Sequence, residues 1–130
     1  MKNIIFITIK ELVRIHKGQI EEYGGIYGIR DWQLLESALS SPRATFDNAY
    51  LHKNLYEMAA AYAYHIIKNH PFLDGNKRIG IITSLIFLKR NGINAKFKKN
   101  ELYKLSMQIA TTNISKIEIS NLFKSRSVSN

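Results

Sequence analysis

The chain has 130 residues, of which 45% are hydrophobic and 22% charged, and it contains no cysteine. This length and composition predict a single domain over residues 1–130 with an apolar core, and argue against a disordered chain or a disulfide-stabilised mini-protein. The lack of cysteine also excludes thiol catalysis and cysteine-based zinc sites. The apolar run over residues 4–9 is too short for a signal sequence or a membrane span, so we expect a cytoplasmic protein.

The basic charge of the chain is concentrated in its second half. Nineteen Lys and Arg residues against ten Asp and Glu residues give a formal net charge of +9. Basic and acidic residues balance over residues 1–66, so the whole excess falls in residues 67–130. This distribution favours an anionic partner, such as a nucleotide, a nucleic acid or an acidic protein, although a solvated basic surface would have the same composition.

Two helices are predicted in the first third of the chain. Thr8 and Glu11 are spaced as a capping box at the start of a helix that stops at Gly24-Gly25. Asp31 is a suitable N-cap for a second, shorter helix, which must end before Pro42.

A short extended segment and the two most apolar helices are predicted next. Residues 43–52 have no helical period and predict an extended loop or a small hairpin. The third helix covers about residues 55–69 and must end near Pro71. The fourth, over about residues 77–91, is apolar on nearly all sides, which predicts that it is the buried central helix. Gly92 is a natural end to it.

The last third of the chain predicts two amphipathic helices, at about residues 101–110 and 115–124, the second opened by a capping box of Ser115 and Glu118. Residues 125–130 show no pattern and predict a frayed tail. Together the elements predict the all-α class, as a compact bundle of about six helices around a buried central helix with one or two short extended pieces.

The segment between the third and fourth helices concentrates the residue types that phosphate chemistry needs. It reads His70-Pro71-Phe72-Leu73-Asp74-Gly75-Asn76-Lys77-Arg78. Gly75 permits a tight backbone before a helix N-terminus, where Lys77 and Arg78 add positive charge, so the loop can bind phosphates. Asp74 can hold Mg²⁺, and His70 can take a proton from an attacking hydroxyl at neutral pH. An ordinary turn between helices would use some of the same residues, and spacing alone leaves that alternative open.

This segment resembles the signature of the Fic/Doc superfamily, H-P-F-x-D/E-G-N-x-R. The similarity extends to Tyr23-Gly24-Gly25 and to Gly28-Ile29-Arg30-Asp31, and it covers about residues 10–95. Lys77 stands where AMP-transferring members carry Gly. It therefore points to the death-on-curing (Doc) branch, whose members are the toxins of toxin–antitoxin pairs.

The resemblance implies an activity and a role for each residue of the loop. His70 would be the general base, Asp74 the Mg²⁺ ligand, and Phe72 the anchor of the loop in the core. The nucleotide phosphates would be bound by Gly75, Asn76, Lys77 and Arg78. The stretch over residues 45–50 would be a flap that aligns the target. The implied reaction transfers the γ-phosphoryl group of ATP to a Thr or Ser hydroxyl of a protein such as elongation factor Tu, which would block translation.

Two other functions stay open at this level. One is AMP transfer to a protein hydroxyl, although Ile81 replaces the second Arg that AMP-transferring members carry. The other is a non-catalytic, basic module that regulates or binds nucleic acid. We expect His16, His52 and His65 to be ordinary surface or core residues rather than site residues.

The sequence also bears on how such an activity would be restrained. None of the seven Glu residues has Ser or Thr four positions before it, so the S/T-x-x-x-E helix by which many Fic enzymes restrain themselves is absent. The expected partner is therefore an antitoxin, with an acidic segment that docks on the basic half of the chain. Neither nucleic acid nor a membrane is required.

Overall fold

The computed structural model describes residues 3–128, which form six α-helices and two small antiparallel sheets. The helices are α1 (Ile9–Tyr23), α2 (Trp32–Ser40), α3 (Leu55–Asn69), α4 (Asn76–Arg90), α5 (Lys99–Thr111) and α6 (Lys116–Ser125). The strands are β1 (Thr45–Phe46), β2 (Ala49–Tyr50), β3 (Asn94–Ala95) and β4 (Ser127–Val128), and a 3-10 turn (Ser41–Arg43) follows α2. The predicted all-α fold class is confirmed. No helix within the described range is both long and apolar enough to cross a bilayer.

The capping box predicted for α1 is formed. The Glu11 backbone N–H donates to Thr8 Oγ1 at 3.1 Å, and the Thr8 N–H donates to Glu11 Oε1 at 3.2 Å. The helix ends at Gly24, whose φ of +86° favours glycine. The buried residues of α1 are Leu12, His16 and Ile20. The last two of these lie beside the loop that precedes α4.

The centre of the fold is α3, which packs against α2, α4, α5 and α6. Every residue from Met58 to Ala63 is buried. The expectation that the helix near residues 77–91 would be central is therefore wrong. That helix, α4, is the second buried element, and Ile82, Leu85 and Ile86 on it are only partly buried. The small Ala side chains of α3 allow several helices to approach it closely, and an apolar sequence alone does not reveal this.

The extended segment predicted for residues 43–52 is a β-hairpin of β1 and β2. The antiparallel pairs are Thr45 with Tyr50 and Phe46 with Ala49. Asp47 and Asn48 form the turn, with φ of +53° and +63°. A two-residue hairpin turn of the I′ type needs positive φ at both positions, and Asp and Asn tolerate it better than most residues.

The predicted frayed tail is wrong for its first residues. Helix α6 continues to Ser125, and β4 then pairs antiparallel with β3, so that Val128 lies opposite Asn94. Arg126 supports this return because its carbonyl accepts from the Lys96 N–H at 2.9 Å and its guanidinium pairs with Glu101. Residues 129 and 130 of the predicted tail lie outside the described residues.

Candidate active site

Residues 70–75 connect α3 to α4, and we call this segment the site loop. The residue at each of its ends has a left-handed backbone conformation. His70 ends α3 with φ and ψ of 53°, and Gly75 opens α4 with a φ of 76°. A histidine in this conformation is uncommon and carries some strain. The His70 N–H still donates to the Ile66 carbonyl at 3.2 Å, and its side chain is exposed to solvent.

Arg30 fixes the His70 end of the site loop. Its Nε donates to the His70 carbonyl at 2.6 Å, and its Nη2 donates to the Asn69 carbonyl at 2.9 Å. The backbone N–H groups of Arg30 and Asp31 both donate to the Pro71 carbonyl, at 2.7 and 3.0 Å. A guanidinium group at the end of a helix satisfies carbonyls that have no partner within the helix and complements the helix dipole.

The side chains of Phe72 and Asn76 are buried beneath the site loop and hold it to the core. Phe72 is 1% exposed and forms an isolated β-bridge with Ile29. The Asn76 side chain is also buried, and its amide makes two hydrogen bonds to Phe72: Oδ1 accepts from the N–H and Nδ2 donates to the carbonyl, each at 3.0 Å. The Asn76 side chain is thus engaged with the loop itself. What it leaves for a bound anion is its backbone N–H, in the first turn of α4.

Asp74 is exposed, and its carboxylate is oriented by backbone groups. Oδ1 accepts from the Gly75 N–H at 2.8 Å, and Oδ2 accepts from the Ile26 N–H at 3.2 Å. A Cβ on Gly25 would lie 2.9 Å from Oδ2, so the chain can approach this carboxylate closely because residue 25 is glycine.

A single oriented carboxylate fits Mg²⁺ bound together with a nucleotide. Mg²⁺ in nucleotide sites commonly takes one or two protein carboxylates and completes its shell with phosphate oxygens and water. Residues 3–128 contain no cluster of three or more His, Cys, Asp or Glu side chains that would bind a metal on their own. The donor set at Asp74 therefore suits a metal that arrives with phosphates.

Two cations follow at the start of α4. Lys77 and Arg78 are both exposed in its first turn, where backbone N–H groups lack partners within the helix. The Arg78 guanidinium carbon lies 4.7 Å from the centre of the Tyr23 ring, so the end of α1 supports that side chain. A helix N-terminus with two adjacent cations attracts anions, and phosphate groups in particular.

His16 contacts the site loop from α1. Its Nε2 lies 2.8 Å from the Asp74 carbonyl oxygen, and its ring stacks on the Phe72 ring with centroids 3.8 Å apart. Burial lowers the pKa of His16, while the hydrogen bond to Asp74 opposes that shift.

Comparison with known proteins identifies the family. The model of the Fic/DOC family matches residues 6–88 of the chain. The chain belongs to the Fic/Doc family. The matched region contains α1, α2, the hairpin, α3 and the whole site loop.

Two curated relatives agree with this Fic/Doc assignment. The chain is 33% identical over 109 residues to "Protein kinase doc" of Escherichia phage P1. The aligned region covers 84% of this chain and 85% of the relative. It is also 33% identical over 91 residues to "Toxin Doc" of Mycolicibacterium smegmatis. That aligned region covers 68% of this chain and 70% of the relative.

The Fic/Doc signature residues lie in the site loop and at the start of α4, and His16 and Arg30 contact this loop from outside it. Sequence reasoning gave neither of these two a role at the site, because it expected His16 to be an ordinary core or surface residue and used Arg30 only as part of the Fic/Doc resemblance. His16 and Arg30 lie 58 and 40 residues before their loop partners, so nothing in local spacing could identify them. His52 and His65 lie apart from the loop, and both face Lys116.

Proposed function

We propose that this Fic/Doc protein is the toxin of a toxin–antitoxin pair, and that it transfers the γ-phosphoryl group of ATP to a Thr or Ser hydroxyl of a protein such as elongation factor Tu, thereby blocking translation. The observation that carries the proposal is the placement of an exposed His70 at one end of the site loop and of Lys77 and Arg78 just past the other end. The names of the two relatives, one a protein kinase and one a toxin, support it.

The nucleotide phosphates bind at the N-terminus of α4. The first-turn backbone N–H groups, including that of Asn76, supply neutral donors, and Lys77 and Arg78 supply full charges. Arg78 can offer the edge of its guanidinium to a phosphate while its face rests on Tyr23. Because phosphoryl transfer needs positioning and charge neutralisation above all, these groups account for much of the rate enhancement.

Asp74 holds Mg²⁺ in this proposal, through a carboxylate that two backbone N–H groups already orient. When bound, Mg²⁺ neutralises charge on the phosphate oxygens and fixes their geometry. The contribution of the chain is to present one anionic ligand at a fixed place beside the helix N-terminus.

His70 serves as the general base. An imidazole nitrogen of His70 accepts the proton of the target hydroxyl as that oxygen bonds to the γ-phosphorus. The bond from the γ-phosphorus to its bridging oxygen breaks, and ADP leaves with the electron pair. The exposed side chain of His70 can reach a hydroxyl of another protein, and the hydrogen bonds from Arg30 keep its backbone in place.

The β1–β2 hairpin is the proposed flap for the target segment. It has only two paired residues on each strand, and Phe46 at its tip is 74% exposed. A short, exposed strand edge can pair with an extended peptide, and such pairing would align the target hydroxyl along the site.

An antitoxin is the proposed second partner. The net charge of +9 and its concentration in residues 67–130 support an acidic docking segment on that half of the protein. Lys96 and Lys98 border one groove there, with a volume of about 430 Å³, which the Arg126–Glu101 ion pair also lines.

Labelled ATP tests the reaction. Purified protein is incubated with elongation factor Tu and Mg²⁺, with ATP labelled at either the γ or the α phosphate. We expect label on the target from γ-labelled ATP only. Label from α-labelled ATP alone would instead establish AMP transfer. No label on elongation factor Tu would exclude it as the target, and no label from either ATP on any protein of a cell lysate would refute the enzyme proposal.

Two variants sharpen the experiment. His70→Ala is expected to lower transfer by a factor of about 10² to 10⁴, which is the usual contribution of a general base. Lys104→Ala, in an exposed position of α5, removes a cation far along the chain from the site loop and should transfer at the wild-type rate. Equal loss in both variants would mean that neither result reports on the site.

A further inference from the structure

His16 is a buried polar residue that the proposed reaction does not use. It is 1% exposed, lies on the buried face of α1, and makes a hydrogen bond of 2.8 Å between its Nε2 and the Asp74 carbonyl oxygen. Its ring is nearly parallel to that of Phe72, with an angle of 7° between the planes. Both contacts are with the site loop, from a helix that ends 47 residues before that loop begins.

The chemistry of the contact defines which imidazole atom donates. A carbonyl oxygen only accepts, so His16 Nε2 carries the proton in this hydrogen bond. The other ring nitrogen, Nδ1, is buried and has no hydrogen-bond partner among residues 3–128. A buried unpaired nitrogen is unfavourable, and an apolar ring such as Phe would stack on Phe72 without that cost. The feature that only His16 supplies is the hydrogen bond to Asp74.

That hydrogen bond holds the carbonyl side of the peptide between Asp74 and Gly75. The carbonyl of this peptide points into the protein toward His16, and its N–H donates to the Asp74 carboxylate at 2.8 Å. This peptide joins Asp74, which carries the carboxylate, to Gly75, which directly precedes the first turn of α4. The hydrogen bonds between Asn76 and Phe72 hold the loop elsewhere and do not fix this peptide plane.

We propose that His16 is a positioning residue, whose Nε2–H holds the Asp74–Gly75 peptide so that the carboxylate and the N-terminus of α4 face the same bound MgATP. The inference rests on the proposed function for its ligand, and on the geometry of the loop for its mechanism. His16 itself touches neither the nucleotide nor the target.

Two substitutions separate the hydrogen bond from the ring. His16→Phe keeps the ring and its stacking on Phe72 but removes the donor, whereas His16→Gln removes the ring but keeps a side-chain N–H donor. The matched control is Tyr62→Phe, which removes a buried hydrogen bond of 2.9 Å to the Ile7 N–H in the core.

Hydrogen exchange under native conditions is measured for the peptide over residues 72–79 and, as a reference for global stability, for the peptide over residues 58–67. With His16→Phe we expect the loop peptide to exchange about tenfold faster relative to the reference, the change that about 1.4 kcal/mol produces. His16→Gln should recover most of this protection. Tyr62→Phe should affect both peptides alike.

Binding of ATP in the presence of Mg²⁺, measured by calorimetry on the same proteins, gives the second readout. We expect His16→Phe to raise the Kd about tenfold and His16→Gln to stay within about threefold of the wild type. The positioning role is refuted if His16→Phe leaves the relative exchange of the loop unchanged, or if folded His16→Gln is as defective as His16→Phe. If wild-type protein does not bind MgATP, the proposed function is refuted, and the exchange comparison alone decides the role of His16.

Discussion

At the scale of single residues, Arg30 connects the segment before α2 to His70, the proposed general base. We predict that Arg30→Ala lowers the free energy of unfolding by about 1 kcal/mol, because two carbonyls at the end of α3 lose a charged donor. Phosphoryl transfer should fall about tenfold, since His70 is then held less firmly. Urea denaturation and single-turnover kinetics measure the two effects.

Arg30→Lys is the informative control, because it keeps the charge but cannot donate from two nitrogens in one plane. It should recover part of the stability and less of the transfer rate. Wild-type transfer by Arg30→Ala would contradict a role for this residue at His70.

Tyr23, at the end of α1, contacts Arg78, which we propose to bind phosphate. We predict that Tyr23→Ala weakens binding of MgATP by about twofold to fivefold, because an exposed cation–π contact contributes about 0.5–1 kcal/mol. Tyr23→Phe keeps the ring and should bind as the wild type does, as measured by calorimetry. A loss in Tyr23→Phe equal to that in Tyr23→Ala would implicate the hydroxyl group instead.

Sequence reasoning could identify the site loop because its residues are contiguous, and it could not identify what orients them. The chemical types of His70, Asp74 and Arg78 predict roles that depend only on exposure near a helix N-terminus. The burial of the Asn76 side chain, and the contacts from His16 and Arg30, depend on how α1 and α2 fold against the loop. Tertiary packing of this kind leaves no spacing pattern in the chain.

At the scale of elements, the close approach of α3 and α4 supports the loop between them. A Cβ on Gly80 of α4 would lie 2.7 Å from Ile67 Cγ1 and 3.3 Å from the Ala63 carbonyl oxygen. We therefore predict that Gly80→Ala lowers the free energy of unfolding by about 1–3 kcal/mol, despite the better helix propensity of Ala.

Gly18→Ala is a control within the same protein. Gly18 also lies inside a helix, α1, but a Cβ there would have no neighbour within 4 Å in the part of the chain that the structure describes. This substitution should raise the free energy of unfolding by about 0.5–1 kcal/mol, through helix propensity alone. Urea denaturation of the two variants under one condition tests the pair, and destabilisation of both by the same amount would exclude a packing effect at Gly80.

Helix positions were predictable where caps mark them, and the choice of central helix was not. Thr8, Asp31 and Ser115 each accept a hydrogen bond from the backbone N–H three residues later, as their sequence context predicts. An apolar sequence predicted a central α4, whereas α3 has more neighbours because its Ala residues take up little space. The apolar character of a helix indicates how readily it is buried, and the size of its side chains limits how many helices can reach it.

At the scale of the whole molecule, most of the excess positive charge is not used in ion pairs within residues 3–128. Within residues 3–128 there are two ion pairs, Arg90 with Glu11 and Arg126 with Glu101. Both use basic residues of the second half, and most of the other cations there are exposed. The proposed nucleotide takes up the charge of Lys77 and Arg78, which leaves the rest of that surface to an acidic protein or to solvent.

Two partly buried histidines, His52 and His65, face Lys116 where α6 packs on α3. Lys116 on α6 donates to His65 Nε2 at 3.1 Å and lies 3.4 Å from His52 Nε2, so both rings are held neutral. Burial, followed by the nearby charge of Lys116 and by His52, lowers the pKa of His65 to about 4. The pKa of His52 is also lowered, by burial first and then by Lys116.

We predict that the protein loses stability as the pH falls from about 6.5 toward 4. An unfolded chain protonates His near pH 6.5, whereas folded His65 stays neutral until about pH 4, so the unfolded state binds more protons in between. The free energy of unfolding should then fall by up to about 1.4 kcal/mol per pH unit for this group. His65→Gln keeps an acceptor for Lys116 without a titrating ring, and its urea midpoints at pH 7.5 and 5 should differ less than those of the wild type. Equal differences in the two proteins would assign the acid sensitivity to other groups.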